Sequence, residues 1–375
     1  QLEPVLHRDH RVVPAVKHQG RHLHAGQLVA NVDVAEGGEE IRRRIEEQEA
    51  RDEKREGVAE AWGLAFACHT SGPSNNDGMS SCLVLVNDDG SVNLSVGSAD
   101  IGQGCETTFR QIAAEELGID PETVAVTAAD TLHAPYDLGT FASGQIYVGG
   151  NAVRQAARDA KEKVQAALSK HYDTDPEKVL FEEGHFKILP KDGSEVSLSF
   201  RAAIAGISFG TKGTIVIGCS SFKAEESPLP FAVCWAKVAV DKGKRTVEVR
   251  HIIEAVDVGT AINPGIVKGQ VEGGIVMGLG YALTEQIEFD RRAGKPTSSD
   301  LLHYRIPTAL DIPKIHVYIA KGSYEPTGPF GAKSVGELPV VPVAAAIANA
   351  VSKATGEEVD SLPLSKKFVI KPASW

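Results

Sequence analysis

The sequence predicts an α+β fold of two intermixed lobes. Three features lead there. Paired runs of alternating residues flank Gly-bearing turns. Separate stretches carry apolar residues at helical spacing. No regular strand–helix–strand repeat appears that would build a parallel sheet.

Taken in order, Ser81–Val86 and Ser91–Val96 alternate around Asn87-Asp88-Asp89-Gly90, a hairpin in which Gly90 supplies the positive φ. Thr107–Leu117 places Phe109, Ile112, Ala113 and Leu117 on one helical face and closes at Gly118. Val124–Ala128 reads as a short strand and Ala152–Leu168 as a long amphipathic helix. Val179–Phe181 and Phe186–Leu189 follow as strands. Phe231–Val240 and Thr246–Val258 form a second hairpin around Asp241–Lys244. Gly265–Leu283 is apolar and Gly-rich, which suggests a buried helix with close backbone packing, and Val341–Lys353 is the last helix. The expected domain bounds are 1–55, 56–176 and 177–375. Residues 1–55 are unlike the rest: they hold His7, His10, His18, His22 and His24 and a charged run, Glu39–Glu47, and read as a mobile or non-native leader. A helical metal site there lacks the i, i+4 histidine pair with a carboxylate.

The composition excludes several function classes. A net charge of -11 disfavours nucleic acid, whose phosphates need clustered Lys and Arg. No apolar run is expected to span a membrane, and no secretory leader is recognised. The five cysteines, Cys68, Cys82, Cys105, Cys219 and Cys234, are odd in number and form no C-x-x-C pair, so neither an Fe–S cluster nor a disulfide framework is expected on this chain. The expectation is a reducing, cytoplasmic compartment.

Four segments interrupt the apolar elements. Gly97–Gly104 joins a strand to a helix. It can present backbone N–H groups to an anion or serve as a tight connection; it spells no phosphate loop. Leu138–Gln145 offers Thr140, Ser143 and Gln145 before a helix, as caps or as ligand contacts. In Asp257–Gly274, Asn263-Pro264 reads as an N-cap followed by Pro at the first helical position, and Gln270 and Glu272 need partners if buried. In Gly328–Pro339, Glu337 either answers a helix dipole or acts as a base.

In this order, Asp100-x-Gly102-Gln103-Gly104 with Gln111–Glu115, Gly139-Thr140-x-Ala142-Ser143, Asn263-Pro264 with Gly269–Gly273, and Gly331-Ala332-Lys333-x-x-Gly336-Glu337 resemble the C-terminal half of the molybdopterin-binding subunit of the xanthine dehydrogenase and aldehyde oxidase family. The resemblance covers residues 60–370 and implies the molybdenum-cofactor-binding α+β fold of molybdenum hydroxylases. It implies a molybdenum–molybdopterin cofactor, either as such or in a cytosine dinucleotide form. Gln103 and Gly104, then Thr140, Ala142, Ser143 and Gln145, then Gln270 are placed against that cofactor, Phe66 against a ring substrate, and Glu337 as the base. The implied reaction hydroxylates an aromatic N-heterocycle of purine or nicotinate type, or an aldehyde, with oxygen from water. A non-catalytic cofactor-binding scaffold is the alternative. No Gly-Gly-Phe-Gly-Gly loop or Arg/Phe segment is found, so either the subunit is split and a complementary molybdopterin-binding half is a partner chain, or the sequence is a fragment of a longer subunit. [2Fe–2S] and FAD are expected on an Fe–S subunit and an FAD subunit.

Overall fold

The computed structural model describes residues 17–18, 21–22, 41, 43–47, 56–73, 78–209 and 213–373. The chain divides into two units, 1–58 and 59–375. In the first, Lys17–His18 pairs antiparallel with Arg21–His22, and residues 43–47 are helical. His7, His10 and His24 lie outside the described residues.

The second unit holds two sheets, each with helices on one face. In the first sheet, β2 (Met79–Val86) and β3 (Val92–Val96) form the expected hairpin, with Gly90 at φ 82 in its turn. Strand β4 (Val124–Ala128) adds in parallel to β3, because helix α1 (Cys105–Leu117) carries the chain back to the same end. Gly118, at φ 62, ends α1 in a left-handed cap. Helix α2 (Gly150–His171) buries its alanine-rich stripe against this sheet. Three short strands, β5 (Val179–Glu182), β6 (His185–Ile188) and β7 (Val196–Ser199), form a meander beside α3 (Phe200–Ser208). Strand β8 (Val216–Lys223) then closes the first sheet against β2. Gly218 lets α2 approach: a Cβ there would lie 2.1 Å from the Ala156 carbonyl oxygen.

The second sheet has the order β11-β10-β9-β1, with β1 (Val58–Cys68), β9 (Phe231–Asp241), β10 (Thr246–Asp257) and β11 (Lys314–Ile319). Helices α4 (Pro264–Leu283) and α5 (Val343–Thr355) cover it, and a short β12 (Val369–Ile370) pairs with the start of β10. Gly63 plays the part of Gly218 here: its Cβ would lie 2.1 Å from the Ala346 carbonyl oxygen.

Four expectations are corrected. The two cores do not divide at residue 177. One runs from Cys82 to Val216, and the other joins Ala61 and Ala67 to Ala232–Phe368, because sheet membership rather than chain order defines each core. Helix α4 is not buried all round. Gly274 and Gly278 pack on Pro339 and Val343, while Gly269 and Gly273 face open space and Met277 and Tyr281 are exposed. Gln270 and Glu272 are consequently half-buried, and Glu272 pairs with Lys268 at 3.6 Å. The fourth correction concerns membranes: Leu338–Thr355 is long and apolar enough to cross one by composition, but half of it is buried inside the protein, as in a core helix.

Candidate active site

The four polar segments converge through a closed circuit of contacts. In Gly97–Gly104, the Asp100 carboxylate accepts the backbone N–H groups of Gly102 at 2.8 Å and Gly104 at 3.3 Å. Burial pushes the Asp100 carboxyl up, but these N–H donors outweigh it and hold the group below its ordinary range. The Gln103 side chain turns back on the loop: Nε2 donates to the Ala99 carbonyl at 3.1 Å, and Oε1 accepts from Ile101 N–H at 2.7 Å.

Ala99 ties this loop to the second. The Thr140 hydroxyl donates to the Ala99 carbonyl at 2.8 Å and accepts from its N–H at 3.2 Å. Gln145 Nε2 donates to Gly139 O and Thr140 Oγ1, each at 3.1 Å. Neither Thr140 nor Ser143 caps the following helix, which is entered through a π turn, Gln145–Gly149. Ala142 and Ser143 are both left-handed, at φ 48 and 53, a conformation that costs non-glycine residues energy and persists where neighbours over-determine it.

The neighbour at Ser143 is Glu337. The Ser143 hydroxyl donates to Glu337 Oε2 at 2.9 Å, and Glu337 N–H donates to Ser143 Oγ at 2.8 Å. Glu337 makes no side-chain cap for the 3₁₀ turn that follows, Leu338–Val340. Its carboxylate is held by Ser143 instead, and its side chain is 57% exposed.

Buried polar groups fix the segment that carries Glu337. Lys333 Nζ donates to Asp257 Oδ2 at 2.7 Å and to the Leu229 carbonyl at 3.2 Å. Burial raises the Asp257 carboxyl; the Lys333 ammonium and hydrogen bonds outweigh it, and the net shift is downward. Ser334 Oγ donates to the Thr70 carbonyl at 2.9 Å, and Ser71 Oγ donates to Ser334 Oγ at 3.1 Å. Gly72 N–H in turn donates to the Ala142 carbonyl at 2.9 Å.

Helix α4 closes the circuit. Pro339, two residues past Glu337, packs on Gly274. At the other end of α4, Asn263 caps the helix by accepting Ile266 N–H at 3.0 Å and donates Nδ2 to Gln111 of α1 at 3.1 Å. Ile266 fills the space beside Gly104, where a Cβ would lie 2.9 Å from its Cδ1. Gln270 follows one turn later on the same helical face as Ile266.

Of the expected residues, Ser143 touches Glu337 and Thr140 touches Gln145. Gln145 Oε1 is buried with no hydrogen-bond partner among the described residues and lies beside the Ser98 and Gly149 packing, under the loop. Phe66 stands on the exposed side of β1 with Leu64 and Cys68. Sequence reasoning missed His69, whose Nε2 lies 3.8 Å from Glu337 Oε2. A single histidine at a strand end carries no pattern that would have marked it. A cavity of about 470 Å³, lined by Tyr281, Glu285, Val340, Val341 and Leu362, includes none of the expected residues.

Glycines along the circuit leave backbone open to close approach by a bound cofactor. Added Cβ atoms at Gly102, Gly269 and Gly273 would meet nothing within 4 Å, so the backbone is bare there. Residues 37–313 match the sequence model of a known family, the molybdopterin cofactor-binding domain. The chain belongs to that family.

As a molybdopterin cofactor-binding domain, it is 33% identical over 329 residues to the xanthine dehydrogenase molybdenum-binding subunit of Escherichia coli O157:H7, covering 87% of this chain and 43% of that subunit. It is 28% identical over 286 residues to the 6-hydroxypseudooxynicotine dehydrogenase complex subunit gamma of Paenarthrobacter nicotinovorans, covering 75% of this chain and 36% of that one. Quinoline 2-oxidoreductase from Pseudomonas putida 86 superposes with a TM-score of 0.78 at 25% identity, over 92% of this chain and 45% of that one. The chain thus spans less than half the length of these relatives. The α+β class and the molybdenum cofactor expected from the sequence agree with the family.

Proposed function

We propose that this molybdopterin cofactor-binding domain is the base-carrying part of a molybdenum hydroxylase, with Glu337 as the base. The observation that carries the reading is the paired hydrogen bond between Ser143 and Glu337. It holds one carboxylate at the edge of the circuit that Gly102, Gln103, Ser143 and Gln270 outline.

The cofactor supplies a Lewis acid and a two-electron sink. Gln270, Ser143, the Ala142 backbone and the Gly102–Gly104 turn are the groups of this chain that bind it, with Thr140 and Gln145 keeping the second loop in shape. Gln103 joins them by releasing its contacts to Ala99 and Ile101. The Ser143 hydroxyl aims Glu337 Oε2 by donating to it. The Glu337 carboxylate accepts the proton of the attacking oxygen.

A base works best when water is excluded, and Glu337 is 57% exposed on this chain. This supports a complementary molybdopterin-binding half that covers it; an Fe–S subunit carrying [2Fe–2S] and an FAD subunit are proposed as further partners. The names of the relatives, a xanthine dehydrogenase subunit and a quinoline 2-oxidoreductase, favour an aromatic N-heterocycle as substrate. Phe66, exposed on β1, is the ring available to stack on it. A cytosine dinucleotide cofactor and a cytoplasmic location complete the proposal; all five cysteines are free.

The test is Glu337→Gln in the assembled enzyme. The expected result is normal molybdenum content with turnover of purine or nicotinate substrates reduced by about 10² or more. Unchanged turnover would remove Glu337 from the chemistry.

A further inference from the structure

We infer that His69 receives the proton that Glu337 collects, and so resets the base between turnovers. The inference rests on the reading of Glu337 given above. It is carried by the geometry of the ring.

His69 Nδ1 lies 3.0 Å from the Thr70 carbonyl oxygen, and a carbonyl only accepts. The neutral ring therefore carries its hydrogen on Nδ1, which leaves Nε2 bare. Nε2 lies 3.8 Å from Glu337 Oε2, the oxygen that also accepts the Ser143 hydroxyl. That separation suits an ion pair and is too long for a hydrogen bond; a small side-chain movement to about 2.8 Å makes one.

The backbone on both sides of the pair is fixed. His69 N–H donates to the Pro230 carbonyl at 3.2 Å. Thr70 and Ser71 are bonded to Ser334, three residues before Glu337, and Gly72 to Ala142, one residue before Ser143. The close approach of His69 to Glu337 is therefore set by buried hydrogen bonds, not by two free surface side chains.

The surrounding charges leave Glu337 as the partner. Residues 139–145 contribute no titratable side chain. Lys333 is engaged by Asp257 and Leu229. Glu225 and Glu226, before Pro230, are exposed, and Cys68 adjoins His69 on β1.

The step is a proton transfer only. The O–H bond at Glu337 Oε2 breaks and an N–H bond forms at His69 Nε2, giving a carboxylate and an imidazolium. The imidazolium, 24% exposed at its side chain, passes its proton to water. His69 is thus a positioning and relay residue that acts through Glu337.

Two measurements test it. In the full chain, nitrogen NMR of the histidine rings, with His69 assigned by its loss in His69→Gln, should report the Nδ1–H tautomer. An Nε2–H ring would overturn the inference. In the assembled enzyme, His69→Gln should lower kcat about tenfold with KM unchanged. Its acid limb should move, and added imidazole should restore part of the turnover. A normal kcat and pH profile in His69→Gln, with Glu337→Gln inactive, overturns the relay and leaves the base in place. Full activity in Glu337→Gln overturns the base itself, and the relay with it.

Discussion

Ser143 and Glu337, 194 residues apart in the chain, exchange two hydrogen bonds, hydroxyl to carboxylate and backbone N–H to hydroxyl. One small side chain thereby sets both the position and the aim of the carboxylate, from a backbone held at φ 53.

Replacing Ser143 separates the work of its hydroxyl from the cost of its left-handed backbone. A hydrogen bond to a charged group is worth about 1.5–3 kcal/mol when buried and less when exposed, as Glu337 is. Ser143→Gly keeps the left-handed backbone at lower cost and removes the hydroxyl. The expected outcome is a Tm equal to or above that of the parent, with kcat/KM about tenfold lower in the assembled enzyme. Ser143→Ala should lose both activity and stability. Full kcat/KM in Ser143→Gly would mean that the hydroxyl does not aim the base.

Gly63 and Gly218 carry the same prediction in the two sheets. Each lets a helix backbone touch the sheet, and an added Cβ would lie 2.1 Å from a helix carbonyl oxygen, Ala346 or Ala156. Backbone cannot move aside as a flexible side chain can. Gly63→Ala and Gly218→Ala should each destabilise by about 3 kcal/mol or more, at the upper end of overpacking costs. Urea unfolding of the full chain measures this directly, and a loss under about 1 kcal/mol would show that the helices can lift off the sheets.

Much of the fold was legible where local chemistry decides it. Asn263-Pro264 announced the start of α4, Gly118 the end of α1, and Asn87–Gly90 the first hairpin. Long-range relations were not. Strand Val216–Lys223 pairs with a partner more than a hundred residues earlier, so no neighbouring signal marked it. The candidate site was legible as four segments, yet not in its contacts. Nothing near Ser143 in sequence says that its partner is Glu337, and nothing near His69 says that its ring meets the same oxygen. Strict alternation along Thr246–Asp257 would also group Glu248, Arg250, Ile252 and Glu254 on one face. The register with β9 slips between Lys237 and Val238, so Arg250 has no opposite residue. Beyond the slip, Glu254 shares the core face with Ile252 and Val256.

The Asp257–Lys333 pair should make stability sensitive to acid. The net shift of Asp257 is downward, so its contribution is present above the ordinary aspartate value, about 3.9, and is lost as pH falls below it. Lys333→Met leaves Asp257 without its cation, about a quarter exposed. The expected cost is about 2 kcal/mol at neutral pH, below the range for a fully buried pair broken on one side. Adding Asp257→Asn should recover part of it and flatten the acid dependence. Equal stability of parent and Lys333→Met from pH 3 to 7 would show that the pair does not hold the Glu337 segment.

Glu254 should act in the opposite sense. Its side chain is fully buried beside Cys234, and neither carboxyl oxygen has a hydrogen-bond partner among the described residues. Burial raises its proton affinity well above the ordinary value, so the folded chain holds this proton to higher pH than the unfolded chain does. Below about 4.3 both the folded and unfolded chains hold the proton. Above that, the unfolded chain releases it and the folded chain does not, so stability falls as pH rises toward the folded value. Glu254→Met fills nearly the same volume without the polar group. It should stabilise by about 1–3 kcal/mol at neutral pH, the cost of burying an unpaired polar group. The gap between variant and parent in urea unfolding should widen from pH 5 to pH 8. A constant gap, or a variant less stable at both pH values, would mean that the Glu254 carboxyl is satisfied in the folded protein.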